Sequence, residues 1–63
     1  RSIVMARDVP AGQILSAADL TYKRPGTGIS PLHWDTVLGR YTTRALNSDD
    51  VLHWSDVSEV GPL

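Results

Sequence analysis

Two halves of the chain read alike when one is laid on the other at a fixed offset. Moving the first half by thirty-seven positions sets Arg7 on Arg44, Val9 on Leu46 and Ile14 on Val51, then Leu15 on Leu52, Asp19 on Asp56 and Leu20 on Val57. Six such matches in one register without a gap are hard to obtain by chance. Each half reads as a strand, a four-residue turn, an apolar pair and a short turn ending in Asp followed by an aliphatic residue. A half of this size has too little apolar surface to close a core alone, so each must bury its aliphatics against the other. The repeat therefore predicts a mostly β fold of short strands and helical turns with an internal pseudo-two-fold axis.

Within that frame the elements are short. Ser2 to Val9 is expected as a strand with Ile3, Val4 and Val9 facing inward. Residues 10–13 form a turn in which Pro10 fixes φ and Gly12 is free to take a positive φ. Ser16-Ala17-Ala18-Asp19 carries the S-x-x-D pattern of a capping box and opens one helical turn before Leu20. From Ser30 to Leu38 the spacing is helical, with Ser30 as N-cap, Pro31 at the first position, and Trp34, Val37 and Leu38 on one face. Gly39 ends that helix and Arg40 can bond its negative end. Two turns of helix are unstable alone, so Trp34 is expected in the core to hold them. Strand character resumes over Arg40 to Leu46, and residues 47–50 turn the chain. One domain over residues 1–60, with a frayed end at 61–63, accounts for the whole length.

The repeated charges allow two readings. Arg7 can pair with Asp19 and Arg44 with Asp56, or all four can be solvated at equivalent surface sites. An exposed pair contributes only about 0–1 kcal/mol, so its role would be positional.

Composition removes several functions. There is no Cys among 63 residues, which excludes disulfides and thiolate metal sites. His33 and His53 have no companion at ligand spacing, so no metal site is expected. Formal net charge is -1 with scattered Lys and Arg, which argues against nucleic acid as partner. No apolar run approaches the ~20 residues of a membrane span. A Cys-free composition is compatible with the cytoplasm. Ser16, Ser30, Ser48, Ser55 and Ser58 sit at caps or turns without a nucleophile signature, Asp49-Asp50 lacks a third carboxylate at metal spacing, and Gly26-Thr27-Gly28 is only a fragment of a phosphate loop. No catalytic residue is expected in this chain.

One segment stands apart. Lys23-Arg24-Pro25-Gly26-Thr27-Gly28-Ile29-Ser30-Pro31 places two cations before two Pro and two Gly. Pro25 biases Arg24 toward an extended backbone, and the glycines permit turns that other residues resist. Such a segment is either a connector or a mount for Arg24. A mounted Arg can bind an anion or donate forked hydrogen bonds, but it cannot act as acid or base. The candidate binding residues are Arg24, Lys23, Gly26, Thr27 and Gly28.

Arg1-Ser2-Ile3-Val4, Val9-Pro10-Ala11-Gly12, Leu15-Ser16-Ala17-Ala18-Asp19-Leu20 and above all the 23–31 run, followed by Trp34-Asp35 and Val37-Leu38-Gly39-Arg40, carry a family resemblance. The chain resembles the C-terminal SAF, or antifreeze-like, domain of sialic acid synthases, including the bacterial N-acetylneuraminate and legionaminate synthases. The resemblance implies a β-clip fold, a pretzel of short strands with pseudo-two-fold symmetry. It also implies a catalytic (β/α)8 barrel, absent from these residues, that condenses phosphoenolpyruvate with N-acetylmannosamine or a related acylamino sugar. In such enzymes a divalent metal (Mn or Mg) sits in the barrel, and no cofactor belongs to this domain. Each SAF domain covers the barrel mouth of the second subunit in a domain-swapped homodimer. By motif match Arg24 would reach the acylamino sugar, Lys23 would make rim contacts, and Gly26 and Gly28 would allow close approach. The isolated domain would be catalytically silent. The alternatives are a stand-alone binding module of the same fold: an ice-binding antifreeze-like protein, or the SAF domain of a flagellar or pilus chaperone or of a sugar-acid dehydratase. Arg7 and Asp19 fit poorly on an ice-matching face.

Overall fold

A computed structural model describes residues 1–62. In chain order it contains β1 (Ser2–Met5), a 3-10 turn (Ala17–Asp19), β2 (Leu20–Lys23), a second 3-10 turn (Pro31–His33) and α1 (Trp34–Val37). Then come β3 (Tyr41–Thr42), a third 3-10 turn (Trp54–Asp56) and β4 (Val57–Ser58). β1 pairs antiparallel with β2, in the register Val4 opposite Thr21 and Met5 opposite Leu20. β3 pairs with β4 in the shifted equivalent, Tyr41 opposite Ser58 and Thr42 opposite Val57.

The repeat in the sequence is a repeat in the hydrogen bonds. Met5 N–H donates to the Asp50 carbonyl at 2.9 Å, and thirty-seven residues on Thr42 N–H donates to Gln13 at the same distance. Leu15 to Arg40 matches Leu52 to Ile3, and Ala6 to Asp19 matches Thr43 to Asp56. Single bridges pair Val4 with Val51 and Ile14 with Tyr41. Val9 and Leu46 exchange bonds with each other, 2.9 Å each way, so the pseudo-axis passes between them. The left-handed positions match too: Gly12 has φ +78° and Asp49 has φ +72°. Asp tolerates that region better than most side chains, which lets the second copy dispense with glycine.

The core follows the same symmetry. Val9 and Leu46, Leu15 and Leu52, and Leu20 and Val57 are buried as pairs, joined by Ile3, Met5, Ile29 and Val37. Asp19 and Asp56 are buried with them. Asp19 accepts the Ser16 backbone N–H at 2.8 Å, the acid-to-backbone half of the expected capping box. Asp56 accepts His53 N–H at 2.9 Å in the same way. Arg7 Nε lies 3.2 Å from Asp19 and Arg44 Nε 2.8 Å from Asp56. The two charged pairs therefore form, and the reading of four solvated charges is set aside. Each pair has a buried acid and an exposed Arg, so the carboxylates hold backbone in place while the cations reach solvent.

Several boundaries differ from those the sequence suggests. β1 ends at Met5, not Val9: Ala6 N–H makes one further bond in register, to Asp19, where β2 gives way to the 3-10 turn, and Val9 pairs instead with Leu46. β3 covers only Tyr41–Thr42 of the expected 40–46. The helix expected over 30–38 is a 3-10 turn followed by one turn of α-helix. Ser30 does cap it, accepting Leu32 N–H at 3.2 Å, and Pro31 takes the first position. Gly39 ends it at φ +85°, and Arg40 Nε donates to the Thr36 carbonyl at 3.0 Å. Trp34 is not in the core: it is only partly buried and packs against the core's edge, while Val37 is fully enclosed. Nor do the apolar pairs sink together. Leu15 is buried and Ile14 is half exposed, since neighbours on an extended chain point opposite ways. Of the end expected to fray, Gly61 lies against the Tyr41 ring and Pro62 against Gly12, and Leu63 lies outside the described residues.

These packing differences rank two substitutions. Leu52→Ala should cost about 2–5 kcal/mol, most of the roughly 3–5 kcal/mol a core this small supplies, and leave the domain largely unfolded by circular dichroism at 25 °C. Trp34→Ala should melt lower than the parent yet stay folded. Asp19→Asn and Asp56→Asn each remove a buried charged acceptor, at about 1–3 kcal/mol. Their thermal midpoints should fall by about 4 °C or more, whereas that of exposed Asp35→Asn should not move.

Candidate functional site

β2 delivers Lys23 and Arg24 to one end of the β1–β2 pair, and the chain then leaves the sheet through residues 25–28. The exit is fastened at both sides by one side chain. Ser2, fully buried at the start of β1, donates its hydroxyl to the Pro25 carbonyl at 2.5 Å and accepts Gly28 N–H at 2.9 Å. Ile29 then locks the return. Its N–H donates to Leu52 at 2.9 Å, its carbonyl accepts Ile3 N–H at 2.8 Å, and its side chain is buried. A segment clipped at 25, 28 and 29 has little freedom left, although residues 22–27 are all exposed. The Arg24–Pro25 peptide is cis.

The glycines serve a different purpose from turning. Positive φ occurs at Gly12 and Gly39, not at Gly26 or Gly28. A Cβ at Gly28 would overlap the Leu52 carbonyl oxygen and stand 2.5 Å from Val51 Cγ1. At Gly26 it would stand 3.2 Å from the Arg1 backbone nitrogen. Gly28 is needed for close approach to the second half, and so for the Ser2 clip.

The candidate residues divide by partner. Lys23 Nζ pairs with Asp49 Oδ1 at 2.8 Å, both side chains being exposed. Thr27 is exposed beside Gly26. Arg24 is exposed and, among the described residues, bonds to no carboxylate, carbonyl or hydroxyl. Arg1 neighbours it, its guanidinium carbon 5.5 Å from the centre of the Tyr22 ring. Sequence reasoning missed Ser2, Ile29, Arg1 and Tyr22. Ile29 had a usable signal, as the sole aliphatic residue between Pro25 and Pro31. A serine opening a strand gave none.

An open groove of about 300 Å³, whose lining does not include Arg24, is formed by Gly12, Thr42, Thr43, Ser58, Val60 and Pro62 among others. It is the pseudo-symmetric counterpart of the Lys23–Pro25 region, with Val60-Gly61-Pro62 standing where Lys23-Arg24-Pro25 stand in the first half. Its hydroxyls are engaged: Thr42 donates to Pro10 and accepts Gln13 N–H, Thr43 donates to Ser55, and Ser58 accepts Val60 N–H. Among the described residues no group of three or more His, Asp or Glu side chains could hold a metal ion.

With this geometry in place, the comparisons decide the family. The profile described as SAF domain matches residues 1–58. The chain belongs to the SAF domain family. Two curated N,N'-diacetyllegionaminic acid synthases are similar to it. The one from Campylobacter jejuni is 35% identical over 52 residues, 82% of this chain and 16% of that protein. The one from Legionella pneumophila is 35% identical over 57 residues, 90% of this chain and 16% of that protein. An uncharacterised protein of Methanocaldococcus jannaschii is also 35% identical over 57 residues, 17% of its length. This SAF domain thus spans about a sixth of each relative's length. Among solved structures, the antifreeze protein like domain of human N-acetylneuraminic acid phosphate synthase superposes with a TM-score of 0.87 at 26% identity, covering 90% of this chain and 73% of that one. The small, mostly β architecture with helical turns is therefore the antifreeze-like SAF fold.

The clip yields a test. Gly28→Ala should lower the thermal midpoint sharply and speed amide exchange at Ile29, because the added methyl has no room. Gly26→Ala, facing only a tight contact with Arg1, should change both far less.

Proposed function

We propose that this domain caps the substrate site of a sialic acid synthase-type enzyme. That enzyme would condense phosphoenolpyruvate with N-acetylmannosamine or a related acylamino sugar, with Arg24 supplied to the partner subunit's active site. One observation carries the reading: an exposed guanidinium without a partner among the described residues, mounted on a segment fastened by Ser2 and Ile29. Five donors on a rigid plane suit the carbonyl and hydroxyls of an open-chain sugar. A fastened mount fixes their direction before the sugar arrives, which is where positioning groups gain their effect. Arg24 lies outside the groove, so its ligand would be held between this domain and another surface.

The similarity to two diacetyllegionaminic acid synthases supports the substrate class. In this reading the rest of the enzyme is a barrel domain holding the divalent metal, and the active pair is a domain-swapped homodimer working in the cytoplasm. No helix of the described residues is long and apolar enough to cross a membrane. Leu32, 92% exposed at the end of the same segment, and half-exposed Trp54 offer apolar surface for the partner subunit to cover. The domain alone would be catalytically silent; among the described residues no group of three or more His, Asp or Glu side chains could hold a metal ion.

In the full-length protein, Arg24→Ala should lower kcat/KM for the acylamino sugar about ten- to a hundredfold, the loss of one or two charge-assisted hydrogen bonds. Metal content and thermal midpoint should be unchanged. An unaltered kcat/KM for the sugar would remove Arg24 from the site.

A further inference from the structure

Two strand edges are equivalent under the repeat, and the fold treats them differently. Ile3 turns both backbone groups away from β2: its N–H donates to the Ile29 carbonyl and its own carbonyl accepts Leu52 N–H. Tyr22, opposite Ile3, is therefore a non-hydrogen-bonded position of the β1–β2 ladder, and its N–H and carbonyl point away from β1. By the same alternation the Leu20 carbonyl, opposite Met5, lies on that outer edge, as does Arg24 N–H one step past the strand. Among the described residues none of these groups has a partner, and the Tyr22 side chain is half exposed. The equivalent of Tyr22 in the second half is Glu59, and there the edge is closed. β4 stops at Ser58, Val60 N–H turns back to the Ser58 hydroxyl at 3.1 Å, and Arg40 holds the Glu59 carboxylate at 3.1 Å. A lysine on an edge strand normally discourages pairing with another chain, yet Asp49 neutralises Lys23 at 2.8 Å.

We infer that the outer edge of β2 is a self-association surface, to which a second copy of this chain adds its own β2, antiparallel, about a two-fold axis at Tyr22. Charge selects that register. With Tyr22 opposite its own copy, Lys23 falls opposite Thr21 and Arg24 opposite Leu20, so no like charges face one another. An axis at Arg24 would set that cation against itself, and at Leu20 the N–H is already committed to the Ala17 carbonyl. In the Tyr22 register each Tyr22 gives and receives one backbone bond, and each Arg24 N–H meets a Leu20 carbonyl. Such a contact is isologous and closes at two copies. It is also small, so the dimer is weak. It employs the Arg24 backbone and not its guanidinium, and so goes beyond the capping role without depending on it.

Sedimentation equilibrium of this chain from micromolar to millimolar concentration, combined with amide exchange by NMR, tests the inference. The expected result is a monomer–dimer equilibrium. The Tyr22 and Arg24 amides should gain protection as concentration rises, while that of Lys23, already inside the β1–β2 ladder, should not change. Thr21→Glu sets a carboxylate opposite Lys23 at two symmetric places and should tighten dimerisation about two- to thirtyfold, whereas Thr21→Lys should weaken it by a similar factor. Both shifts should fade in high salt. A monomer at every concentration overturns the inference. So does a dimer whose two Thr21 variants shift the same way, or whose Tyr22 amide stays unprotected. Protection of Tyr22 only within a longer protein, with this chain monomeric, gives the edge to another segment and likewise overturns self-pairing.

Discussion

Neither half of this chain can complete its own hydrogen bonds. Val9 and Leu46 exchange N–H and carbonyl across the pseudo-axis, and on either side Met5 turns to Asp50 while Thr42 turns to Gln13. Those bonds are duplicated, so the two halves close one another at several points and the aliphatic pairs Leu15 with Leu52 and Leu20 with Val57 are sealed between them. An open backbone group in so small an interior is expensive. Mutual closure is how sixty residues obtain a core without a disulfide.

The mount for Arg24 is built where the symmetry is broken. On one side of the axis Gly39 N–H donates to Leu15; on the other, that role at Leu52 is taken by Ile29, an insert from the segment between the halves. Ile29 fills the core while its backbone bridges Ile3 and Leu52, so the functional segment is stitched to both copies at once. Ser2 then ties down the rest. The rigidity of the mount thus derives from the same ladder that holds the fold, and disturbing either should disturb both.

What the sequence disclosed was whatever repeats. The offset of Arg7, Val9, Leu15, Asp19 and Leu20 onto their counterparts predicted the architecture, because packing across a two-fold demands like residues at like places. The N-cap at Ser30, the stop at Gly39 and positive φ at Gly12 were legible too, since each is a local choice of backbone. Decisions made across the fold were hidden. Trp34 lies in a helical stripe with Val37, but one turn of helix turns only Val37 fully inward. Gly28 looks like a turn residue and is instead a steric gap, visible only once Val51 and Leu52 are beside it. The clip by Ser2 depends on a register that no local pattern encodes. Arg24 could be singled out by its company of Pro and Gly, but that none of the described carboxylates meets it is visible only in the fold.

Mutual closure has a consequence for how the domain is made. While a ribosome is still extending the chain, β1 and β2 can pair with one another, but Met5, Val9 and the Ile3 carbonyl wait for Asp50, Leu46 and Leu52. The links of Ile3 and Ile29 to Leu52 come last of the cross-connections, so most of the domain must emerge before its two halves can close on one another. Contacts so distant along the chain also slow the search for the native state. Where such a domain comes last in a longer polypeptide, its folding would report that translation has reached the end.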